Sequence, residues 1–258
     1  MIEVTKEELQ QDIEKAVVHD IKTISIIDTS EKGDIAYFLA QYITEAGKKV
    51  LVVDNSYRQD VYDSIPVVLK AGSNGKSAEA NDQEEENELR FVSGIAFASK
   101  SFYNPKYLDF YDIVIYYQGM NADINISTSA DMHIFVTDNS KTSYELLAGI
   151  YDKIKDVIAY NAVINIVFRD CCRYKIKTKD SIPMMGFDTE KVSESYLLGV
   201  SEADTAAYVR FTHEGFVVIK DAGLSDEMLY MISSMTEMIT GIETKSMAKI
   251  NARIQKHK

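Results

Sequence analysis

A short polar turn between two apolar runs is the feature that most constrains how this sequence folds. The run 24–27 leads into the turn, and 49–54 forms a second apolar run that ends in a carboxylate. Between them, apolar residues recur at helical spacing over 35–43, and Ala46 and Gly47 supply a C-terminal cap. The segment therefore predicts a strand, a turn, a helix and a second strand, an arrangement of nucleotide-binding type.

The rest of the chain continues this alternation of strands and helices. Further buried strands are predicted over 22–28, 90–96, 112–117, 132–137 and 161–168. A helix is predicted over 142–157, where apolar residues share one face. Continuous apolar strands that alternate with helices form a parallel sheet covered on both faces. The predicted fold class is α/β, a doubly wound, mostly parallel sheet flanked by helices, within a single domain spanning 1–258.

Both ends of the chain and one internal segment differ from this core. Residues 5–19 have the spacing of an amphipathic helix, and 72–89, rich in small and acidic residues, is interpreted as a mobile acidic insertion. From about residue 206 the pattern diverges. The stretch 206–220 predicts a hairpin that turns near Gly215, and 225–240 predicts a methionine-rich helix.

Composition narrows the classes of function. The formal net charge of −12, from 28 basic and 40 acidic residues, disfavours a nucleic-acid surface as the main partner. The sequence has no apolar run of about 18 residues, the length that a membrane span requires, and no signal-peptide pattern. The only cysteines, Cys171 and Cys172, are adjacent, which is typical of a reduced protein. A cytoplasmic location is therefore expected.

The order of these elements resembles the MinD/ParA family of deviant P-loop ATPases. Residues 40–54 resemble the family's first helix and second strand, and 111–117 resemble the strand that leads to the Walker B aspartate. Residues 129–137 resemble the strand after it, and 163–165 resemble the strand whose asparagine contacts the adenine base in the family. Residues 183–200 resemble the loop and helix that follow. The resemblance covers roughly 20–200, and its specificity comes from the ordered set.

The turn itself departs from the family's pattern. Family members read Lys-Gly-Gly-Val-Gly-Lys-Thr-Thr, and in the same register this chain has Ile27, Asp28, Thr29, Ser30, Glu31, Lys32, Gly33 and Asp34. By this resemblance the signature lysine becomes Ile27, and the magnesium-holding threonine becomes Gly33. Lys32 alone keeps a phosphate-lysine position. The Walker B aspartate is replaced by Tyr117.

These departures remove the physical means of holding phosphate. A P-loop needs glycines because its backbone approaches the phosphates closely and points N–H groups at them. Asp28 and Glu31 instead add negative charge, and two like charges ~4 Å apart repel by about 4 kcal/mol at an effective dielectric near 20. The sequence therefore predicts no catalytic residues and no hydrolysis at this turn.

The same carboxylates suit a self-contained turn. Thr29 or Ser30 is predicted to be the N-cap of the helix, with Glu31 and Asp34 in its first turn, where the helix dipole favours negative charge. We therefore expect a phosphate-mimicking turn, in which Asp28, Glu31 and Asp34 stand in for the phosphates of a nucleotide.

A residual nucleotide site is the alternative. By the resemblance it would use Lys32, Gly33, Asp54 and Asn165, with ATP and magnesium as possible cofactors. The competing interpretation makes Lys32 and Asp54 an ion pair or solvated residues, and Asn165 a polar residue of the core. The four histidines fall in separate elements without metal-ligand spacing, so no metal site is predicted.

The resemblance implies three functions of different kinds. The first is a non-catalytic pseudo-ATPase that acts as a localisation or assembly scaffold, of the TadZ/CpaE type that positions pilus and secretion machinery. The second is an ATP-binding dimerisation switch, and the third, disfavoured by charge, is a DNA-partition ATPase. A homodimer with protein partners is expected. The basic helix predicted over 245–258 suits a solvated or partner-packed role better than membrane contact, because its apolar face is narrow.

Overall fold

The computed structural model describes residues 21–66, 89–102, 105–171, 178–214 and 223–242. Three predicted segments lie outside these residues: the helix over 5–19, the insertion 72–89 except Leu89, and the tail 245–258. The strands are β1 (Lys22–Asp28), β2 (Val50–Asp54), β3 (Arg90–Val92), β4 (Ile95–Ser99), β5 (Ile113–Gly119), β6 (Met132–Thr137), β7 (Val163–Cys171) and β8 (Val192–Gly199). The α-helices are α1 (Asp34–Glu45), α2 (Asp60–Asp63), α3 (Ile124–Ser129), α4 (Lys141–Ile154), α5 (Thr178–Met184), α6 (Glu202–Glu214) and α7 (Asp226–Thr240).

The eight strands form one sheet in the order β3-β4-β2-β5-β1-β6-β7-β8. Every neighbouring pair is parallel except β3 and β4, which are antiparallel. The predicted fold class, a mostly parallel sheet with flanking helices, is confirmed. Because β1 lies between β5 and β6, the carboxyl ends of these three strands meet at one edge of the sheet, directly before α1 begins.

Helices cover the sheet on both sides. On the first face, Ile26 of β1 packs with Phe38 of α1 and Met231 of α7 in the largest apolar cluster. On the second face, Phe135 of β6 packs with Leu147 of α4 in a separate cluster. Successive strand residues point to opposite faces, which is why neighbouring apolar residues of one strand can serve both clusters. No helix in the described ranges is long and apolar enough to cross a membrane.

Three local predictions are wrong. The single strand predicted over 90–96 is the antiparallel pair β3 and β4, because Ser93 and Gly94 take positive φ angles of 51° and 82° and reverse the chain. The loop and helix expected over 183–200 is the end of α5 followed by strand β8. The hairpin predicted over 206–220 is replaced in its described part, up to residue 214, by helix α6.

Packing explains the helical state of α6 despite its β-favouring residues. Ala207 and Phe211, four residues apart, are both fully buried, and the ring of Phe211 stacks on Tyr37 of α1 with centroids 4.7 Å apart. Residues at this spacing share one face of a helix, whereas Val209 is 44% exposed. Tertiary contact with α1 therefore outweighs the local strand propensity.

Substitution of Phe211 tests this packing. Phe211→Ala should lower the free energy of unfolding by about 3–5 kcal/mol, since it removes a buried ring at the contact between α6 and α1. Val209→Ala, on the exposed side of the same helix, should change it by under about 1 kcal/mol. Urea denaturation followed by circular dichroism measures both. Equal losses would contradict the helix, because residues 209 and 211 share a face only in a strand.

A titratable residue lies inside the sheet. His133 of β6 is fully buried on the second face, in register with Ser25 of β1, and its ring stacks on Phe135 with centroids 6.0 Å apart. Burial lowers the pKa of His133 to about 4, because desolvation penalises the charged imidazolium. The histidine is therefore neutral in the folded protein near neutral pH.

The buried imidazole should make stability depend on pH. The unfolded chain, with a histidine pKa near 6.5, binds more protons than the folded protein between about pH 6.5 and 4, so stability falls as the pH falls through this window. The contribution of His133 should be roughly 3 kcal/mol. Urea denaturation across this window should show that His133→Gln removes that part of the pH slope. His213→Gln, an exposed change on α6, is the control. Equal slopes in all three proteins would contradict the prediction.

Candidate functional site

The turn after β1 closes on itself before α1 starts. Gly33 is the N-cap of α1, with φ 69° and ψ −11°, and no side chain caps the helix. The prediction that Thr29 or Ser30 forms the cap is therefore wrong. Instead the Thr29 hydroxyl donates to the Val136 carbonyl oxygen at 3.2 Å. Glu31, with φ 50°, precedes the helix and does not belong to its first turn.

The carboxylate of Asp28 occupies the centre of the turn. It is buried, and its Oδ1 accepts hydrogen bonds from the backbone N–H of Ser30 at 2.8 Å and from the Ser30 hydroxyl at 2.5 Å. Its Oδ2 accepts from the N–H groups of Lys32 at 3.3 Å and Gly33 at 3.5 Å. Consecutive backbone N–H groups directed at one anion are how a phosphate-binding loop holds its ligand. Here the anion is a side chain of the loop itself.

Tyr117 of β5 closes the site from the neighbouring strand. Its hydroxyl donates to Asp28 Oδ2 at 3.3 Å, and its side chain is buried. Burial, followed by the negative charges of Asp28, Asp54 and Asp34, raises the pKa of Tyr117 far above its ordinary value. The phenol therefore stays protonated and serves as a hydrogen-bond donor.

Little free space is left above the N-cap glycine. A Cβ on Gly33 would lie 2.3 Å from Cγ2 of Val61 and 3.5 Å from Cζ of Tyr117. The family resemblance puts the magnesium-holding threonine at this position. Neither the threonine side chain nor an ion held by it fits while α2 and Tyr117 stay in place.

Asp34, the first residue of α1, forms a buried ion pair. Both of its oxygens accept from the guanidinium of Arg169 on β7, at 2.7 and 3.0 Å, and the two side chains are 0% and 4% exposed. Burial by itself would raise the pKa of Asp34, but the charge and hydrogen bonds of Arg169 outweigh it and hold the pKa below its ordinary value. The pair joins the start of α1 to the end of β7 and keeps Asp34 ionised.

The remaining charges of the turn are also paired. Lys32 Nζ lies 2.6 Å from Asp170 Oδ2 and 5.7 Å from the ring centroid of Tyr208 on α6. Glu31 lies 3.5 Å from Arg58. The lysine at the phosphate-lysine position is thus directed to β7 and α6, and of the three predicted phosphate-mimicking carboxylates only Asp28 contacts the N–H groups of the turn.

Asp54, at the end of β2, has a structural partner of its own. Its Oδ2 accepts from the N–H groups of Val61 at 2.8 Å and Tyr62 at 3.0 Å, and its Oδ1 accepts from Ser56. Burial raises the pKa of Asp54, partly offset by these hydrogen bonds. The carboxylate therefore stabilises the start of α2, and α2 in turn places Val61 against the turn.

The structure separates Asn165 from the other predicted nucleotide-binding residues. Asn165 is in register with Ile134 and, through it, with Ile26, two residues before Asp28 on β1. It is fully buried, and its Nδ2 lies 4.0 Å from the sulfur of Met238 on α7. Lys32, Gly33 and Asp54 do meet at the carboxyl edge of the sheet, whereas Asn165 lies in the interior.

Sequence reasoning missed the partners Arg169, Asp170 and Tyr208. Arg169 and Asp170 come near the end of an apolar strand, and charged residues at that place in a parallel sheet meet those of neighbouring strands. That signal was available for β7. Tyr208 lay in the segment mistaken for a hairpin. Among the described residues no group of three or more histidine, cysteine or acidic side chains could hold a metal ion.

The sheet order and helical layers define a P-loop NTPase fold of the MinD/ParA type. Similar solved structures include a ParA family ATPase from Chlorobium tepidum, with a TM-score of 0.54 and 13% identity over 83% of this chain and 98% of that one. MinD of Pyrococcus horikoshii with Mg-ADP has a TM-score of 0.55 and 15% identity, over 87% of this chain and 99% of that one. The MinC:MinD complex of Aquifex aeolicus has a TM-score of 0.58 and 11% identity, over 86% of this chain and 97% of that one.

The structural similarity establishes the fold, and sequence identities of 11–15% leave the activity open. No family model matches the sequence, and no curated protein sequence matches it.

Removal of the Asp28 carboxylate should turn the closed turn into an anion site. Asp28→Gly leaves the N–H groups of Ser30, Lys32 and Gly33 without their acceptor, so we expect a loss of roughly 3 kcal/mol in unfolding free energy. Inorganic phosphate should then raise the melting temperature of this variant and leave the unchanged protein unaffected. Scanning calorimetry in phosphate and in chloride of equal ionic strength measures the difference.

Asp204→Gly is the matched control. Its carboxylate also accepts a serine backbone N–H and hydroxyl, those of Ser225 at the start of α7. This variant should lose stability without rescue by phosphate. An equal phosphate effect on all three proteins would mean a general salt effect and would contradict the prediction.

Proposed function

We propose that this protein is a non-catalytic pseudo-ATPase, a MinD/ParA-type fold that acts as a localisation or assembly scaffold. The observation that carries the proposal is the Asp28 carboxylate, buried among N–H groups of the turn where a nucleotide phosphate would lie. A polyanion entering this turn would have to displace a buried carboxylate and its hydrogen bonds. Such a displacement costs several kcal/mol before any phosphate contact forms.

The residues that the family resemblance would place near magnesium support the same proposal. Magnesium prefers oxygen ligands in near-octahedral geometry and usually keeps several of its waters. Asp54 uses both carboxylate oxygens in capping α2 and contacting Ser56, and Tyr117 offers a protonated phenol. Hydrolysis needs a positioned metal and a positioned water, and these residues are committed to holding the fold together.

A scaffold binds other proteins through its surface and needs no catalytic site. The sequence resemblance implies subunits that pair across the nucleotide face, and we propose a homodimer that binds protein partners in a larger assembly. A pilus or secretion system, as for TadZ/CpaE-type proteins, is the assembly favoured by the sequence resemblance. We place the protein in the cytoplasm, close to a membrane only through its partners.

Nucleotide titration tests the proposal against the ATP-dependent switch. With ATP or ADP and magnesium, calorimetry should register no saturable binding up to about 1 mM nucleotide. Light scattering should give the same molar mass with and without nucleotide, twice 29.1 kDa for the proposed dimer. MinD of Pyrococcus horikoshii, which has been crystallised with Mg-ADP, is the positive control.

Other outcomes point to the alternatives. Micromolar, magnesium-dependent binding together with a rise in mass would contradict the scaffold and support the switch. Retention on duplex DNA that weakens as salt rises would support the partition function, since phosphate contacts are lost with added salt. The net charge of −12 leads us to expect no such retention.

A further inference from the structure

A cavity of about 340 Å³ lies on the second face of the sheet, away from the closed turn. Its floor is formed by Val53 of β2 and Tyr116 of β5, which are paired in register. These two residues belong to a small apolar cluster separate from the one beneath α1. Residues of α3, among them Ile126, line its side. The cavity is therefore a distinct space between the carboxyl ends of β2 and β5.

A buried hydrogen-bond donor without an acceptor lines this cavity. The Nδ2 atom of Asn55 is inaccessible to solvent and has no hydrogen-bond partner in the described part of the chain. The backbone of Asn55 is held from both sides, because its N–H donates to the Tyr117 carbonyl at 2.8 Å and its carbonyl accepts from Asn121 at 3.1 Å. A fixed, unsatisfied amide costs free energy unless a ligand supplies the acceptor.

A cation lines the same cavity. Lys100, in the 3-10 helix Lys100–Phe102 that follows β4, has its ammonium 5.6 Å from the ring centroid of Tyr57. No carboxylate within the described ranges forms an ion pair with it. Oδ1 of Asp123, also in the lining, accepts from the N–H groups of Asn125 and Ile126. The polar groups of the lining thus include a cation and an amide donor, beside the Asp123 carboxylate and the side chains of Asn125 and Ser129.

The apolar surface indicates the rest of the ligand. Val53, Tyr116 and Ile126 offer aliphatic and aromatic contact, and Tyr57, 85% exposed, supplies a ring beside Lys100. The volume is at the lower end of the roughly 300–1,000 Å³ typical of small-molecule sites. A ligand with anionic oxygens at one end and a planar apolar body at the other fits both the donors and the floor.

We propose that this cavity binds a small organic anion. Carboxylate or phosphate oxygens accept from Lys100 Nζ and, once the Asn55 amide turns towards the cavity, from Asn55 Nδ2. A planar apolar body lies over Val53 and Tyr116. The site goes beyond the scaffold function and does not depend on it. Nucleotide binding at the turn and anion binding in the cavity are measured on different residues, so either proposal can fail alone.

The Asn55 side-chain amide gives a direct test by nuclear magnetic resonance. The isotope-labelled protein is titrated with benzoate, phenyl phosphate and benzamide, the last a neutral analogue of benzoate. The two anions should shift the Asn55 Nδ2 resonances saturably, with dissociation constants on the order of 1 mM, as expected for ligands of this size. The tighter anion distinguishes carboxylate from phosphate recognition. Benzamide should bind more weakly than either.

Two substitutions test whether the charge of Lys100 is responsible for binding the anions. Lys100→Met keeps most of the aliphatic stem and should weaken both anions about tenfold while leaving benzamide unchanged. Lys153→Met, an exposed change on α4, should alter none of the three. The proposal is overturned if neither anion shifts Asn55 by about 10 mM. Equal binding of benzoate and benzamide, unaffected by Lys100→Met, would overturn it as well.

Discussion

The hydrogen bonds that Asp28 accepts inside its own turn are the constraint on which the rest of this site depends. A parallel sheet brings the ends of its central strands together, and the helix that follows β1 begins with N–H groups that lack partners within the helix. In a nucleotide-binding protein of this fold, phosphate satisfies such groups. Here the buried Asp28 carboxylate accepts instead from the N–H groups of Ser30, Lys32 and Gly33, which precede the helix, with Tyr117 as a further donor. The turn is complete without a ligand.

A buried carboxylate has to be neutralised or hydrogen-bonded, and the neighbouring elements are arranged to meet that requirement. Asp28, Asp34 and Asp54 lie close enough that all three charges raise the pKa of Tyr117. Arg169 offsets this negative charge through its ion pair with Asp34, and Asp54 is satisfied by the start of α2. Strands, helices and turn are therefore joined by these charged and hydrogen-bonded groups, which gives the closed site a structural role.

A cavity lies on the second face of the sheet, apart from the closed turn. The cavity beside Asn55 adjoins the closed site through neighbouring residues, since Asn55 follows Asp54 and Tyr116 precedes Tyr117. The two sides differ in electrostatic character. The turn contains buried carboxylates with paired cations, whereas the cavity is lined by Lys100 and the Asn55 amide beside the carboxylate of Asp123. The anion site proposed for the cavity is therefore separate from the turn.

The sequence by itself determined the parallel α/β sheet, most strand positions and the difference of the turn from the glycine-rich pattern of the family it resembles, because apolar periodicity and the residues of one turn are local properties. It also led us to expect Asp28, Glu31 and Asp34 to act together, whereas only Asp28 accepts from the N–H groups of the turn and Asp34 accepts from Ile35 within the helix. Only the tertiary structure decided that α6 is a helix, through Phe211 on Tyr37, and that Asn165 lies in the interior. The tertiary structure also decided that Asp34 pairs with Arg169. These residues are 135 positions apart in the sequence, and they meet only because β7 lies two strands from β1 in the sheet.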